Sequence, residues 1–581
     1  MSLHSNSRPP IALLTPLLAA FILFPVFSTA TAIPSSTCKT IIGDKEWPTS
    51  EAWAAFNSSV GGQLIKTVPL ATVCHGSAFD ADACANVQAN WHDPEFHESS
   101  SSSIMSAVFS NRSCDPFNPS LGCNLGTYVA YSVDVSKPSD VITSINFAKA
   151  NNLRFVVRNT GHDYMGKSTG HSALAVWMHN IKSTTWMASY ESPSCSYKGP
   201  AVKLGAGVTI EQVNQEAVDR GYVVITGDCP SVGVVGGYIQ GGGAGPLSTI
   251  HGMAADNVLA FEVITTDGRF VNATATENSD LFWALSGGGG GTYGIVWSAT
   301  VKAFPDTPVL GATLSFSTAP NVSVDTWWEG VNAYRTMTAS LTENGGYSLA
   351  VYTTGSFSMM PLMLFNSTTH QLNSIVQPML DTISALGIPF SYNQASFKNY
   401  FDAHATLFPL PLFAVQNTIV GGRLLSRSLW DSPKTFATLN EGIRSLVDNR
   451  VGAYDITVAP SLRGKEVPDN AVLPQWRTTQ AEFAFFLPWN DTGTHEQYLQ
   501  QQKTLTDVFT QTMKKVSPNS GAYLNEADAF DPDWKIDFYG SNYDRLLQLK
   551  NKYDPTGLLY GSTAVGGDQW VEIGGRLCRA T

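Results

Sequence analysis

Short apolar, β-branched blocks closed by glycine, proline or asparagine fill the first half of the chain, and helix-spaced stripes separate them, the rhythm of strands alternating with helices. Strands are predicted at residues 127–133, 153–157, 174–178, 201–207 and 222–225. Lys137-Pro138-Ser139-Asp140 opens a helix through 141–150 with Ser139 as its cap, and the stripe over 210–220 is a second helix that Gly221 stops. Asp267-Gly268 reads as a hairpin turn. Past Phe304-Pro305 the glycine content drops. There 310–317, 347–353 and 480–487 alternate as half-buried strands, while 324–338 and 374–386 carry helical stripes suited to covering one face of a sheet. Residues 33–123 show no sustained period, and their serine tract at 99–103 reads as a loop.

A chain of 581 residues exceeds one hydrophobic core, so two or more structural units are expected. Its 43% hydrophobic and 14% charged residues mark a folded globular chain. The net charge of −12, with no basic run, argues against nucleic acid or an anionic lipid surface as a partner. Residues 1–32 read as a secretory signal, with Arg8, an apolar run from Ile11 to Phe27 and the small residues Ala30-Thr31-Ala32 at the cleavage point. No other apolar run is long enough to span a bilayer, so no membrane partner is expected. Secretion gives meaning to Asn57, Asn111, Asn272, Asn321, Asn366 and Asn490 as N-glycan acceptors. None of the eight cysteines has metal-ligand spacing, and no metal is expected. In an oxidising compartment they allow four disulfides with nothing left over, Cys74 with Cys84 and Cys114 with Cys123 being local pairings; the sequence leaves the connectivity open.

Chemistry concentrates where the 153–157 strand ends. In Arg158-Asn159-Thr160-Gly161-His162-Asp163-Tyr164-Met165-Gly166 the two glycines free the backbone to aim successive N–H groups at an anion such as a pyrophosphate. His162, between Gly161 and Asp163, is a side chain able to attack an electrophilic carbon. Further on, Gly227-Asp228-Cys229-Pro230-Ser231-Val232-Gly233 precedes Gly236-Gly237 and Gly241-Gly242-Gly243-Ala244-Gly245, an array suited to close approach of backbone to a planar ligand. A nicotinamide-dinucleotide fingerprint needs a strand directly before the glycines and a helix directly after. The glycine density and Pro246 argue against one.

These segments resemble the flavin-binding domain of the vanillyl-alcohol oxidase superfamily, and most nearly its berberine bridge enzyme-like branch, which includes fungal isoamyl alcohol oxidase-like proteins. The resemblance is strong over residues 120–305 and good over the C-terminal stretch, where Tyr523-Leu524-Asn525 carries the branch's Tyr-x-Asn pattern. It implies an α+β fold: a signal peptide at 1–32, a disulfide-containing segment at 33–123, a PCMH-type two-subdomain FAD-binding domain at 124–305, a substrate domain at 306–520 with an antiparallel sheet covered by helices, and an element at 521–581 that returns to the FAD domain. It implies FAD joined to His162 through the flavin 8α carbon. Cys229 is open to two readings, a second bond at the flavin C6 carbon and a disulfide. Cofactor contacts are expected from Arg158, Asn159, Thr160, Gly161, His162, Asp163, Gly166, Cys229, Ser231, Val232, Gly233, Gly236, Gly237, Gly241, Gly242, Gly243, Asp256, Asn257 and Val263. Tyr523, Asn525 and Glu482 are the catalytic candidates, Glu482 sharing a predicted strand face with Gln480. The implied function is a secreted FAD-dependent oxidoreductase that takes hydride from an alcohol or similar activated C–H of a small organic molecule and passes the electrons to O2, giving H2O2. A carbohydrate or oligosaccharide oxidase and an oxidative, ring-closing biosynthetic enzyme stay open, as does a flavin-fold binding protein without turnover.

Overall fold

The computed structural model describes residues 38–408, 414–461 and 467–580; the expected signal at 1–32 lies outside them. A first sheet joins β1 (Leu64–Lys66), β2 (Tyr131–Asp134), β3 (Phe155–Arg158) and β4 (Leu174–Trp177) in the order β1-β2-β4-β3, with β2, β4 and β3 parallel. The crossover from β2 to β3 is the helix Pro138–Ala150, whose Val141, Ile145 and Ala148 pack on this sheet with Trp53 and Phe56 of the helix Ser50–Ser59. Its start differs from expectation, since Lys137 and not Ser139 stands at the cap. The donors left open there are met by Asp140, which accepts from the backbone N–H groups of Ser136 at 3.1 Å and Lys137 at 3.2 Å.

A second, antiparallel sheet has the order β5-β6-β9-β7-β8, from β5 (Thr184–Glu191), β6 (Lys198–Gly205), β7 (Val258–Ile264), β8 (Phe270–Ala273) and β9 (Ile295–Lys302). The β7–β8 hairpin turns at Gly268, φ +86°, whose N–H donates to Thr265 O at 2.9 Å. The two strand segments that the resemblance implies here, 256–259 and 261–268, form the single strand β7: the first enters it only at Val258, after the 3-10 turn Ala254–Asn257, and the second leaves it at Ile264 for the hairpin turn.

The third sheet contains β10 (Val309–Ser317), β11 (Tyr347–Thr353), β12 (Ser356–Phe365), β13 (Phe390–Phe397), β14 (Thr418–Ser426), β15 (Gly452–Thr457) and β16 (Thr479–Pro488). It is antiparallel, in the order β13-β10-β12-β11-β15-β16-β14. Helices Val324–Glu343, Thr369–Ala385 and Pro433–Asp448 cover one face, burying Trp327, Val331 and Leu341 from the first, and Ile443 and Leu446 from the last, against Ala481, Phe483 and Phe485 of β16. A buried ion pair, Arg335 with Asp455, links helix to sheet, and Asn440 Oδ1 accepts from Arg335 Nε at 2.7 Å. The helix expected at 374–386 begins a turn early because Thr368 and Gln371 form a reciprocal cap: Thr368 N donates to Gln371 Oε1 at 2.9 Å and Gln371 N to Thr368 Oγ1 at 3.3 Å.

The segment expected to be irregular holds the helices Ser50–Ser59, Ala81–Asn90 and Pro94–Glu98. The reading of four disulfides with nothing left over does not hold: the disulfides are Cys38–Cys578, Cys74–Cys84 and Cys114–Cys123, the first tying together distant parts of the chain and the other two being the local pairings expected. Cys195 is a free exposed thiol and Cys229 a free, half-buried one. No helix among the described residues is long and apolar enough to cross a membrane.

Candidate functional site

A deep cavity opens where the end of β3, the glycine array, the uncovered face of the seven-stranded sheet and the segment around Tyr523 meet. The histidine loop folds over the Arg158 guanidinium. Gly161 has φ +93°, and a Cβ there would fall 2.5 Å from Arg158 Nη2, so the turn needs glycine twice over. Arg158 itself faces away from the cavity, donating from Nε to Ser100 O at 3.2 Å and from Nη2 to His97 O at 3.3 Å. Asp163 fixes the other half of the loop by accepting from the N–H groups of Met165 at 2.9 Å and Ser168 at 2.8 Å.

Ser231 joins the two candidate nucleophiles. Its Oγ lies 2.8 Å from His162 Nε2 and 3.6 Å from Cys229 Sγ, so imidazole and thiol meet at one hydroxyl. His162 keeps part of its surface on the cavity yet lies deep in the protein. That depth, reinforced by Arg158 and His97, lowers its pKa to about 4, and the ring is neutral with a lone pair to offer. Burial pushes the Cys229 thiol up to about 11 against the hydrogen bond from Ser231, so it rests protonated. Beneath the array, the Asn159 amide lies so close that a Cβ on Gly233 or on Gly236 would come within 2.9 Å of it, while Asn159 Oδ1 is buried without a partner. A Cβ on Gly237 would meet no protein atom within 4 Å, so this stretch of backbone is bare to the cavity.

The opposite wall is acidic. Glu482 points from β16 into the cavity at 2% exposure, with Oε1 unpartnered. Asp228 Oδ2 accepts from Tyr347 OH at 2.7 Å, and Glu526 lies one residue beyond Asn525, whose Nδ2 donates to Tyr523 OH at 2.8 Å and to Gly237 O at 3.1 Å. Burial raises the pKa of Asp228 to about 7, offset in part by Tyr347. Burial and then the Asp228 charge raise Glu526 to about 7; burial, Glu526 and Asp228 together raise Glu482 well above the carboxylate range. The Tyr523 phenol is raised as well, chiefly by burial, and keeps its proton. Lys167 also lines the cavity; burial lowers its pKa while Asp163 opposes the shift.

Of the expected site residues, Asn159, Thr160, Gly161, His162, Asp163, Cys229, Val232, Gly233, Gly236, Gly237, Glu482, Tyr523 and Asn525 line this cavity. Ser231 sits one step behind, and the others serve as support. Gly166, φ +71°, admits the Phe109 ring, and Gly241 makes room for the Asn525 amide. Gly242 and Gly243 accept from the N–H groups of Ala255 at 2.9 Å and Ala254 at 2.8 Å, closing a turn. Asp256 is held by Arg477 at 2.7 and 2.8 Å, and Asn257 Nδ2 donates to His251 O at 3.0 Å. Val263 is core, packed where a Cβ on Gly294 would be 2.7 Å away. Gln480 does not share the face of Glu482. The β14–β16 register shifts at this point, pairing Leu425 with Ala481 and Ser426 with Thr479. The resulting bulge turns the Gln480 amide to Thr342 Oγ1, 3.1 Å, on the helix side. Asp228, Glu526 and Tyr347 escaped the sequence reading. The available signal was an acid set among glycine, cysteine, alanine and asparagine, where nothing in the sequence solvates it.

The chain matches the family described as "FAD binding domain" over residues 129–274 and the one described as "Berberine and berberine like" over 522–565. It is 41% identical over 551 residues to the FAD-linked oxidoreductase patO of Aspergillus clavatus, covering 94% of this chain and 95% of that protein. It is 39% identical over 559 residues to the VAO-type flavoprotein oxidase VAO615 of Thermothelomyces thermophilus, covering 94% and 96%. The crystal structure of the VAO-type flavoprotein MtVAO615 from Myceliophthora thermophila C1 superposes with a TM-score of 0.89 at 37% identity, covering 94% of this chain and all of that one. A carbohydrate oxidase from Microdochium nivale shares the fold at a TM-score of 0.60 and 21% identity, covering 75% of this chain and 91% of that one.

Proposed function

The chain belongs to the berberine bridge enzyme-like FAD-linked oxidoreductases of the vanillyl-alcohol oxidase superfamily, and from that premise we propose that it oxidises an alcohol or similarly activated C–H of a small organic molecule, with O2 as the final electron acceptor and H2O2 as the second product. Membership in an oxidoreductase family sets aside the reading as a binding protein without turnover. FAD, when bound, supplies a two-electron hydride acceptor. The residues present fit it: Thr160 to Asp163, Gly233, Gly236 and Gly237 would hold it, and the neutral His162 and the Cys229 thiol would join it covalently.

The observation that carries this reading is the opposition, across one cavity, of His162 and Cys229 to proton-holding side chains, Glu482 and Tyr523. Oxidation of a hydroxyl-bearing carbon needs a hydride acceptor on one side and a proton acceptor or relay on the other. Tyr523 holds its proton at neutral pH, so it acts as a relay, and Asn525 fixes its hydroxyl. The three disulfides and the exposed Asn111, Asn272, Asn321, Asn366 and Asn490 support a secreted, glycosylated protein.

Anaerobic mixing of the purified yellow protein with a panel of primary and secondary alcohols tests the function. The expected result is bleaching of the flavin absorbance, recovery in air and one peroxide per turnover, with the colour staying on the acid-precipitated polypeptide. Bleaching by sugars alone would transfer the reading to a carbohydrate oxidase. Bleaching by neither would defeat it, and colour passing into the acid supernatant would defeat the covalent link.

A further inference from the structure

We propose that Glu526 takes the hydroxyl proton that the substrate releases on oxidation, while Glu482 beside it stays protonated and holds the substrate oxygen as a hydrogen-bond donor. The assignment rests on reading the cavity as an oxidation site. Three carboxyls reach this cavity from three distant parts of the chain: Asp228 after the 222–225 run, Glu482 in β16 and Glu526 behind the Tyr523-Leu524-Asn525 turn. Like charges brought together out of water cannot all ionise, so the question is which carboxyl keeps a proton.

Burial and hydrogen bonding answer it. Glu482 is 2% exposed and its Oε1 has no partner, so an anion there would bear the full cost of desolvation. Asp228 and Glu526 are only half-buried, and Asp228 has the Tyr347 hydroxyl at 2.7 Å to hold a negative charge. Glu526 is fixed by its own N–H, which donates to Tyr523 O at 2.9 Å, and by the Asn525 amide that ties the turn to Gly237 O. The titratable groups that interact electrostatically with Glu526 are Tyr164 from the histidine loop, Asp228, Tyr238 from the glycine array, Tyr454 from β15, Glu482 from β16 and Tyr523. All six are acids. Lys167, the cavity's ammonium, stands instead beside Asp163 and near Gly289 and Gly561. With nothing cationic among the described residues to pin its charge, the Glu526 carboxylate stays basic enough to accept a proton near neutral pH, the condition a general base requires.

The bookkeeping closes. FAD, once bound, would supply the two-electron acceptor for the hydride that leaves the substrate carbon; as the O–H bond breaks, the hydroxyl proton would go to Glu526, leaving a carbonyl. Oxygen would take that hydride's two electrons and proton together with the Glu526 proton, giving H2O2 and restoring the carboxylate.

Flavin-loaded E526Q, E526D and E482Q test the division. For E526Q the rate of anaerobic flavin reduction by an alcohol should fall roughly 10²–10⁴-fold, the span of general-base catalysis. The wild-type decline in rate below about pH 7 should disappear with it. E526D should keep that decline at a lower rate, and E482Q should raise KM and keep it as well. Infrared absorption of the resting enzymes gives a readout apart from turnover: a protonated-carboxyl band present in wild type and E526Q at about pH 8 and absent from E482Q. An acid decline that survives in E526Q, or a band lost with Glu526 and retained without Glu482, would overturn the proposal. If no alcohol bleaches the wild type, the oxidation reading fails and takes the catalytic role of Glu526 with it. The infrared comparison then decides separately where the proton rests.

Discussion

Along one wall of the cavity, residues 159–163 and 227–237 present glycine, backbone and a neutral imidazole; along the other, β16 and the turn after Tyr523 present two carboxyls, Glu482 and Glu526, whose pKa values desolvation raises. The first wall is shaped by what its side chains leave out. Gly161, Gly233 and Gly236 are places where a methyl group would strike Arg158 or Asn159, and Gly237 is a place where it would strike only what the cavity holds. The second wall is shaped by what it buries without a partner, Glu482 Oε1 above all. One wall is suited to gripping a rigid ring; the other stores proton-transfer capacity whose energy comes from unfavourable burial. Holding and chemistry are thus divided between two parts of the chain that fold around different sheets.

Substitutions can set the walls against each other. The largest effect is expected from G237V, which adds bulk only to the cavity: the protein should purify colourless while the flavin-free chain melts within about 0.5 kcal/mol of the flavin-free wild type. A marked loss of stability would instead make Gly237 part of the packing.

A smaller effect separates the walls by pH. His162, with His97 and His404, folds with a pKa of about 4 against an unfolded value near 6.5, so the unfolded chain binds more protons in that interval and this contribution to stability grows as pH rises through it. Asp228 and Glu526 fold with pKa values of about 7, and burial raises Glu482 well above the usual carboxylate value, so the folded chain binds more protons above the unfolded carboxyl values, and their contribution falls as pH rises. E482Q should therefore stabilise the protein by at least about 1 kcal/mol near pH 8, the worth of one pKa unit, with the gain fading toward pH 4. Denaturant melts at both pH values check it, and an equal effect at both would remove the buried charge from the explanation.

The smallest expected change is Y347F. Losing the 2.7 Å donor to Asp228 should cost about 1 kcal/mol and push the Asp228 pKa above about 7. The measurement is a denaturant midpoint at neutral pH, with infrared titration of the carboxyl band for the shift.

Much of the first wall was legible because its determinants are local. A left-handed turn demands Gly161 whatever surrounds it, a strand must end before the loop begins, and periodicity marks the helices that brace both. Where local rules were misread, the cause was local too: Asp140 rather than Ser139 supplies the N-terminal acceptor, and the Thr368–Gln371 box starts a helix a turn before its apolar stripe. The second wall left little trace. Strict alternation puts Gln480 on the same face as Glu482, but a one-residue register shift against β14 sends it to the helix side, and such a shift depends on the partner strand.

The sequence by itself determined the strand, helix, strand order that leads into the histidine loop, the two glycine-bearing loops, the Tyr523-Leu524-Asn525 pattern and the membership of the FAD-linked family, because each depends on residues a few positions apart. Only the tertiary structure decided that Cys38 closes on Cys578, that Cys229 is free beside Ser231 and His162, and that Asp228, Glu482 and Glu526 share one cavity. A carboxyl's readiness to hold a proton is set by the water it loses and the charges it faces, and both are supplied by segments hundreds of positions away, brought near only when the sheets pack.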